Sequence, residues 1–383
     1  MLWSTTHRGR AVLVVASLVL IVGLVYVAKI APKMPDFEVY QRAGTRALAA
    51  EPLYRPDDGH YQLKYLPAFA VLMIPVGLVD GAAARGAWFV VSLGSLILLV
   101  AVSLRLCADK RKATWLLATI TVALMAKFYA RELVLGQVNA PFAAAVGGAM
   151  LAMRARREWL GAGLIVLAIV LKPYGVILLP WVVARRNWRS ITGLALGLSA
   201  MIWLPLLRYS PGETIALHAQ WWATVRDSTA ANLANPDNIS WLAMLTRWFG
   251  DGAAAEARTM WSITLVALGV TLAGVWRWRD RVAFPEWLEA SLLLLLIPVL
   301  SPQGWDYVLL VATPAIVCLV NYEQALPVGL RALTWVALAL MGLTFYDVMG
   351  REAYRTFLMM SGITLSAAVL IAALVELRRA GAA

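Results

Sequence analysis

The chain has 383 residues, of which 61% are hydrophobic and only 15% charged, against about 45–50% apolar and about 25% charged in soluble domains. With a mean hydropathy of +0.72, this composition excludes a soluble enzyme, a disordered chain and a nucleic-acid reader, and it points to an integral membrane protein. The formal charge of +12 comes from 34 basic and 22 acidic residues, and the two cysteines, Cys107 and Cys318, are too few for a disulfide framework or a cysteine-based metal site.

A crossing needs about 20 apolar residues, and the chain has room for roughly a dozen. Apolar runs set against basic clusters predict spans at 11–30, 83–104, 113–130, 138–153, 159–172, 173–184, 190–207, 259–276, 286–300, 305–320, 331–346 and 356–377. The first follows a short basic segment (His7, Arg8, Arg10) and reads as a retained span, because no small-residue cleavage site follows it. The fold class expected is therefore all-α, a polytopic membrane bundle forming one domain over 1–383.

If both termini are cytoplasmic, the inner connections are 105–112, 154–158, 185–189, 277–281 and 321–331. With the tails they hold 18 of the 34 Lys and Arg residues and few of the acids, as the positive-inside rule requires. The net charge is thus a topology signal, not a ligand signal. Residues 67–80 are apolar but short and Pro-interrupted, and read as a re-entrant or interfacial element. The run 159–184 breaks at Lys172-Pro173 between Arg clusters, which predicts two half-spans meeting on the outer side. Broken helices at membrane depth are tolerated where they line a cavity. Two long outer loops remain, 31–66 and 208–258, with short outer connections near 131–137, 172–173 and 301–305.

The polar residues that topology does not explain collect on that outer side. Asp36 lies six residues beyond the first span, and reads either as an acid at headgroup level or as a helix N-cap. Arg131, Glu132, Gln137 and Asn139 surround a turn with Gly136, which reads equally as a solvated C-cap. Lys172 is a lone cation in an apolar run; a charge at the midplane costs about 2.5–3.5 kcal/mol, so it faces an aqueous or anionic cavity or snorkels to the interface. His218, Trp221, Trp222, Asn235, Asp237 and Asn238 mix polar and aromatic groups in the second long loop, though indoles also form interfacial belts. Asp306 opens the tenth span from outside, again as a cap or as a site residue. Five segments converging on one face suggest a site.

The segments MPDFEVYQRAG, EPLYRPDD and YQLKYLPAFAVLMIPVGL resemble the N-terminal signature of glycosyltransferase family 87, which includes polyprenyl-phosphate-mannose-dependent α-mannosyltransferases of the GT-C fold. LGQVNAPFAAAVGGAML, GLIVLAIVLKPYGVILLPWVV, NPDNISWLAMLTRWFG and SPQGWDYVLLVATPAIV are similar to its later segments, so the resemblance runs over roughly 34–320. It implies that Asp36 is the catalytic base of an inverting transfer. It also implies that Gln137, Asn139 and Lys172 lie in the donor pocket, with Asn238 and Asp306 near it; Lys64, Tyr65, Arg131 and His218 complete the expected substrate-binding set. Family members often carry His where this chain has Tyr307, a hydrogen-bond donor that is not cationic near neutral pH.

The expected partners are a polyprenyl-phosphate-linked sugar donor, a lipid or glycan acceptor and the bilayer. No cofactor is expected, and the scheme requires no metal. A single carboxylate suffices, because the departing phosphate is already stable as an anion and needs no general acid, unlike the alcohol leaving in glycoside hydrolysis. The competing reading is a lipid or solute transporter, for which a broken helix with a buried Lys is also a mark, although no inverted repeat is visible.

Overall fold

The computed structural model describes Ser17 and residues 20–381, and every regular element among them is helical. Residues 11–16, 18 and 19 of the first predicted span, and the basic residues before it, lie outside the described residues; the rest of that span is a short apolar helix, Leu20–Ile30. Among the described residues, four helices are long and apolar enough to cross a membrane: Gly81–Leu106, Trp188–Leu207, Ala254–Arg277 and Asp306–Ala325. The count rises to six if two bent pairs are each one span, Thr114–Leu135 with Asn139–Arg154 and Arg351–Met359 with Gly362–Arg379. Glu158–Leu171, Pro173–Ala184 and Val328–Leu343 are shorter apolar helices. Length and apolarity among the described residues thus identify four to six spans where the sequence reading expects about twelve.

The local sequence explains the ends of these helices. Asp80 accepts from the Ala82 N–H at 3.2 Å to start Gly81–Leu106, and Ser210 and Glu213 form a reciprocal capping box on Pro211–Asn232. Thr114–Leu135 ends at Gly136 in the left-handed conformation (φ 70°). The chain then turns through 119° into Asn139–Arg154. Glu132 joins the two helices, its carboxylate accepting from the Asn139 amide and the Ala140 N–H, both at 2.8 Å.

The expected break at Lys172-Pro173 is present. Lys172 is extended, as a residue before proline prefers, and Gly175 lies so close to Ile169 that a Cβ would sit 2.9 Å from its side chain. Arg185 pairs with Glu158 at 3.2 Å, so the two ends of the segment meet as in a hairpin. The span expected at 356–377 is instead broken, with a 54° bend at Met360 and Ser361, the latter at φ 60°. Residues 67–80 form two short helices, Pro67–Leu72 and Ile74–Gly77. They fold against Pro35–Leu48, close enough that a Cβ on Gly44 would collide with the Met73 carbonyl.

The basic connections gather at one end. Lys112 pairs with Glu323 at 2.8 Å, Arg154 donates to the Leu106 carbonyl at 3.1 Å, and the buried Glu289 receives Arg279, Arg378 and the Trp181 indole. The segments around Asp36, Gln137, Lys172 and Gln303 converge elsewhere, on a cavity.

Candidate functional site

Gly136 brings the first two of these segments together. Its φ is positive, and a Cβ there would stand 2.7 Å from that of Phe37, so only glycine lets the turn touch the Asp36 helix. The Met34 N–H donates to the Val134 carbonyl at 2.9 Å, and the Trp88 indole donates to the Gly136 carbonyl at 2.8 Å. Asp36, in the first turn of Pro35–Leu48, is thereby set beside Gln137.

The Gln137 amide is oriented by two phenols. Tyr40 donates to its Oε1 at 2.9 Å and Tyr65 at 3.3 Å, with the two hydroxyls 2.6 Å apart. With the carbonyl so engaged, the amide N–H group hydrogen-bonds the Asp36 carboxylate. Burial raises the Asp36 pKa above its ordinary value, against the lowering effects of the Gln137 bond and the charges of Lys172, Lys64 and His60. Lys64 is shifted the other way: burial lowers its pKa, against the favourable charge of Asp36.

These groups open on a cavity of about 770 Å³. Lys172 is 7% exposed, with its ammonium 5.0 Å from the Tyr65 ring centre and 5.6 Å from that of Tyr174. Among the described residues no carboxylate pairs directly with it. Asp58 receives Arg46 at 2.5 and 2.9 Å, pinning the turn that delivers His60, Tyr61, Gln62 and Lys64 to the rim. The opposite wall comes from Pro211–Asn232, through Trp221, Trp222 and Thr229, and from 297–307. Trp221 donates to the Lys64 carbonyl at 3.2 Å, and Gln303 donates to Thr229 at 2.8 Å, tying the walls to each other.

Of the residues expected from sequence, Asp36, Lys64, Tyr65, Gln137, Lys172 and Tyr307 line this cavity. The other five are not among its lining residues. Asn139 is fully buried and donates to Glu132. Arg131 bridges Asp306 and Asp237, each at 3.0 Å, and lies over the Tyr307 ring. Asn238 donates to the Pro302 carbonyl at 2.8 Å and pairs with Trp305 in an isolated β-bridge, stitching the 235–240 loop to the cavity wall. His218 contacts the Ile202 carbonyl at 3.0 Å. Arg131, Asp306 and Asn238 therefore reach the cavity through the loops they hold.

The sequence reading missed Tyr40, Tyr174 and Thr229. Tyr40 was legible: it lies four residues after Asp36, on the same helical face. Tyr174 and Thr229 carried no local signal. Among the described residues no group of three or more His, Cys, Asp or Glu is placed to hold a metal ion.

The sequence profile of glycosyltransferase family 87 matches residues 63–302, more than half of the chain. The chain belongs to that family. No curated protein and no solved structure matches it. Together with the apolar helices, membership identifies a membrane glycosyltransferase. The matched segment includes Lys64, Tyr65, Gln137 and Lys172, whereas Asp36, Asp306 and Tyr307 lie outside it.

Proposed function

We propose that this glycosyltransferase is an inverting GT-C enzyme of the cytoplasmic membrane, with about 12 crossings, both termini cytoplasmic and its cavity open to the extracytoplasmic side. It moves a hexose, mannose in the first instance, from a polyprenyl-phosphate donor to a lipid or glycan acceptor. The observation that carries this reading is one half-buried carboxylate, Asp36, sharing a cavity with two cations, Lys172 and Lys64. In the reaction the acceptor oxygen attacks the anomeric carbon and gives its proton to Asp36. The bond from that carbon to the phosphate oxygen breaks with its electron pair leaving on the phosphate, whose charge Lys172 and Lys64 offset. A base whose pKa is raised from its ordinary value is better matched to a hydroxyl proton than an unperturbed one. Family membership lends the transporter reading no support.

The test is sugar transfer by purified protein offered polyprenyl-phosphate-mannose and a membrane lipid extract. Asp36→Asn, checked for folding by its thermal midpoint, is expected to lose about 10²-fold or more of the rate. Wild-type transfer by a folded Asp36→Asn protein rejects the assignment of the base. Wild-type turnover of glucose- or arabinose-linked donors in place of mannose rejects the choice of sugar.

A further inference from the structure

A second cavity, of about 480 Å³, lies on the other side of the Arg131 network. It is lined by Pro236 and Asp237 on one side and by Tyr346, Arg351, Tyr354, Arg355 and Leu358 on the other. Arg351 and Arg355 stand four residues apart on Arg351–Met359, so both project from one helical face. Like charges at that spacing oppose each other. Among the described residues neither guanidinium has an ion-pair or hydrogen-bond partner. The one carboxylate in the lining, Asp237, is engaged by Arg131. A further cation stands behind the cavity: Lys127 donates to the Thr344 carbonyl at 2.8 Å and approaches the Tyr354 ring. The result is a concave, net-positive, aromatic-walled space whose two forked donors lack an acceptor.

We infer that this cavity binds a phosphate group, held between the Arg351 and Arg355 guanidiniums. The planar fork of arginine matches phosphate oxygens two at a time, and an anion between the pair removes their mutual repulsion. Val348, Met349 and Met360, close by in the chain, are exposed apolar side chains, which favours a phosphate carried on a lipid headgroup over one free in solution. The site is separate from the one built on Asp36, because the Asp237–Arg131–Asp306 bridge stands between them.

The experiment measures binding of short-chain phosphatidic acid, and of the diacylglycerol that lacks only the phosphate, to the full chain in neutral detergent. Phosphatidic acid should bind and diacylglycerol should not. The double variant Arg351→Gln/Arg355→Gln should weaken phosphatidic acid by about tenfold or more, and Arg351→Lys/Arg355→Lys should recover part of that loss. Both arginines are exposed, so the variants should keep the wild-type thermal midpoint. Asp36→Asn should bind phosphatidic acid as wild type does, whatever becomes of its transfer activity. Failure of millimolar inorganic phosphate to compete upholds the headgroup. Effective competition upholds the phosphate site with free phosphate as its ligand. Unchanged affinity in the double Gln variant, or equal binding of diacylglycerol, overturns the inference.

Discussion

At the scale of single residues, the behaviour of Asp36 is set by what surrounds it. Burial raises its pKa, and Gln137 partly reverses that by donating to the carboxylate. Gln137 points its N–H that way because Tyr40 and Tyr65 occupy its carbonyl oxygen. The sign of the pH effect follows. A general base acts only when deprotonated, so burial moves the acid limb of kcat/KM to higher pH than an ordinary carboxylate would give. Removing the Gln137 bond removes a lowering influence, so Gln137→Ala should move that limb higher still. A pH–rate profile of the two proteins checks this, and a limb that stays in place or moves to lower pH contradicts it. That Asp36 and Lys172 face one cavity was anticipated from their outer-side placement. The Tyr40–Gln137 arrangement was not, because Tyr40 and Gln137 are 97 residues apart in the chain.

At the scale of elements, the decisive feature is the turn at Gly136. It ends one apolar helix, begins another, and abuts Phe37, so that backbone freedom and side-chain absence are both needed at one position. Gly136→Ala meets a positive φ and a Cβ contact of 2.7 Å. Backbone strain alone costs about 1–3 kcal/mol, and the clash separates Asp36 from Gln137. The expected result is a lower thermal midpoint in detergent together with reduced transfer; an unchanged midpoint would show that the helix and turn separate freely. The sequence marked Gly136 as a C-cap, which is a local property. Its second role, as the point where the Asp36 helix rests, is invisible locally because Phe37 lies 99 positions earlier. The break at Ser361 differs: the run 356–377 is predominantly apolar and reads as one span, and the local mark of its bend is the pair Ser361-Gly362 in place of a proline.

At the scale of the whole molecule, the basic connections meet one another at one end, while the cavity gathers Asp36, Lys64, Gln137 and Lys172 elsewhere. With the proposed orientation, this separation leads to a topological expectation. Cys107 and Cys318 are both buried, so the wild-type chain offers little background for thiol labelling. A cysteine placed at the exposed Asp57 should react with a membrane-impermeant maleimide in intact cells. One placed at the exposed Lys110 should react only after permeabilisation. The reverse pattern would invert the proposed orientation.

Composition and periodicity by themselves determined that the chain is helical and of the membrane, because apolar excess and spaced basic clusters are additive properties of short windows. The same windows revealed the break at Lys172-Pro173, since a proline constrains its neighbour regardless of context. Which polar residues face the cavity was decided only by the tertiary structure. Asn139, Arg131 and Asn238 look like site residues in sequence, yet they act as bolts between helices and loops. Lys64 and Gln137, no more conspicuous along the chain, line the cavity with Asp36 and with Lys172, which its apolar surroundings already mark. The physical reason is that a buried polar side chain must find a partner, and whether that partner is another helix or the space left for a substrate depends on long-range packing that no local pattern encodes.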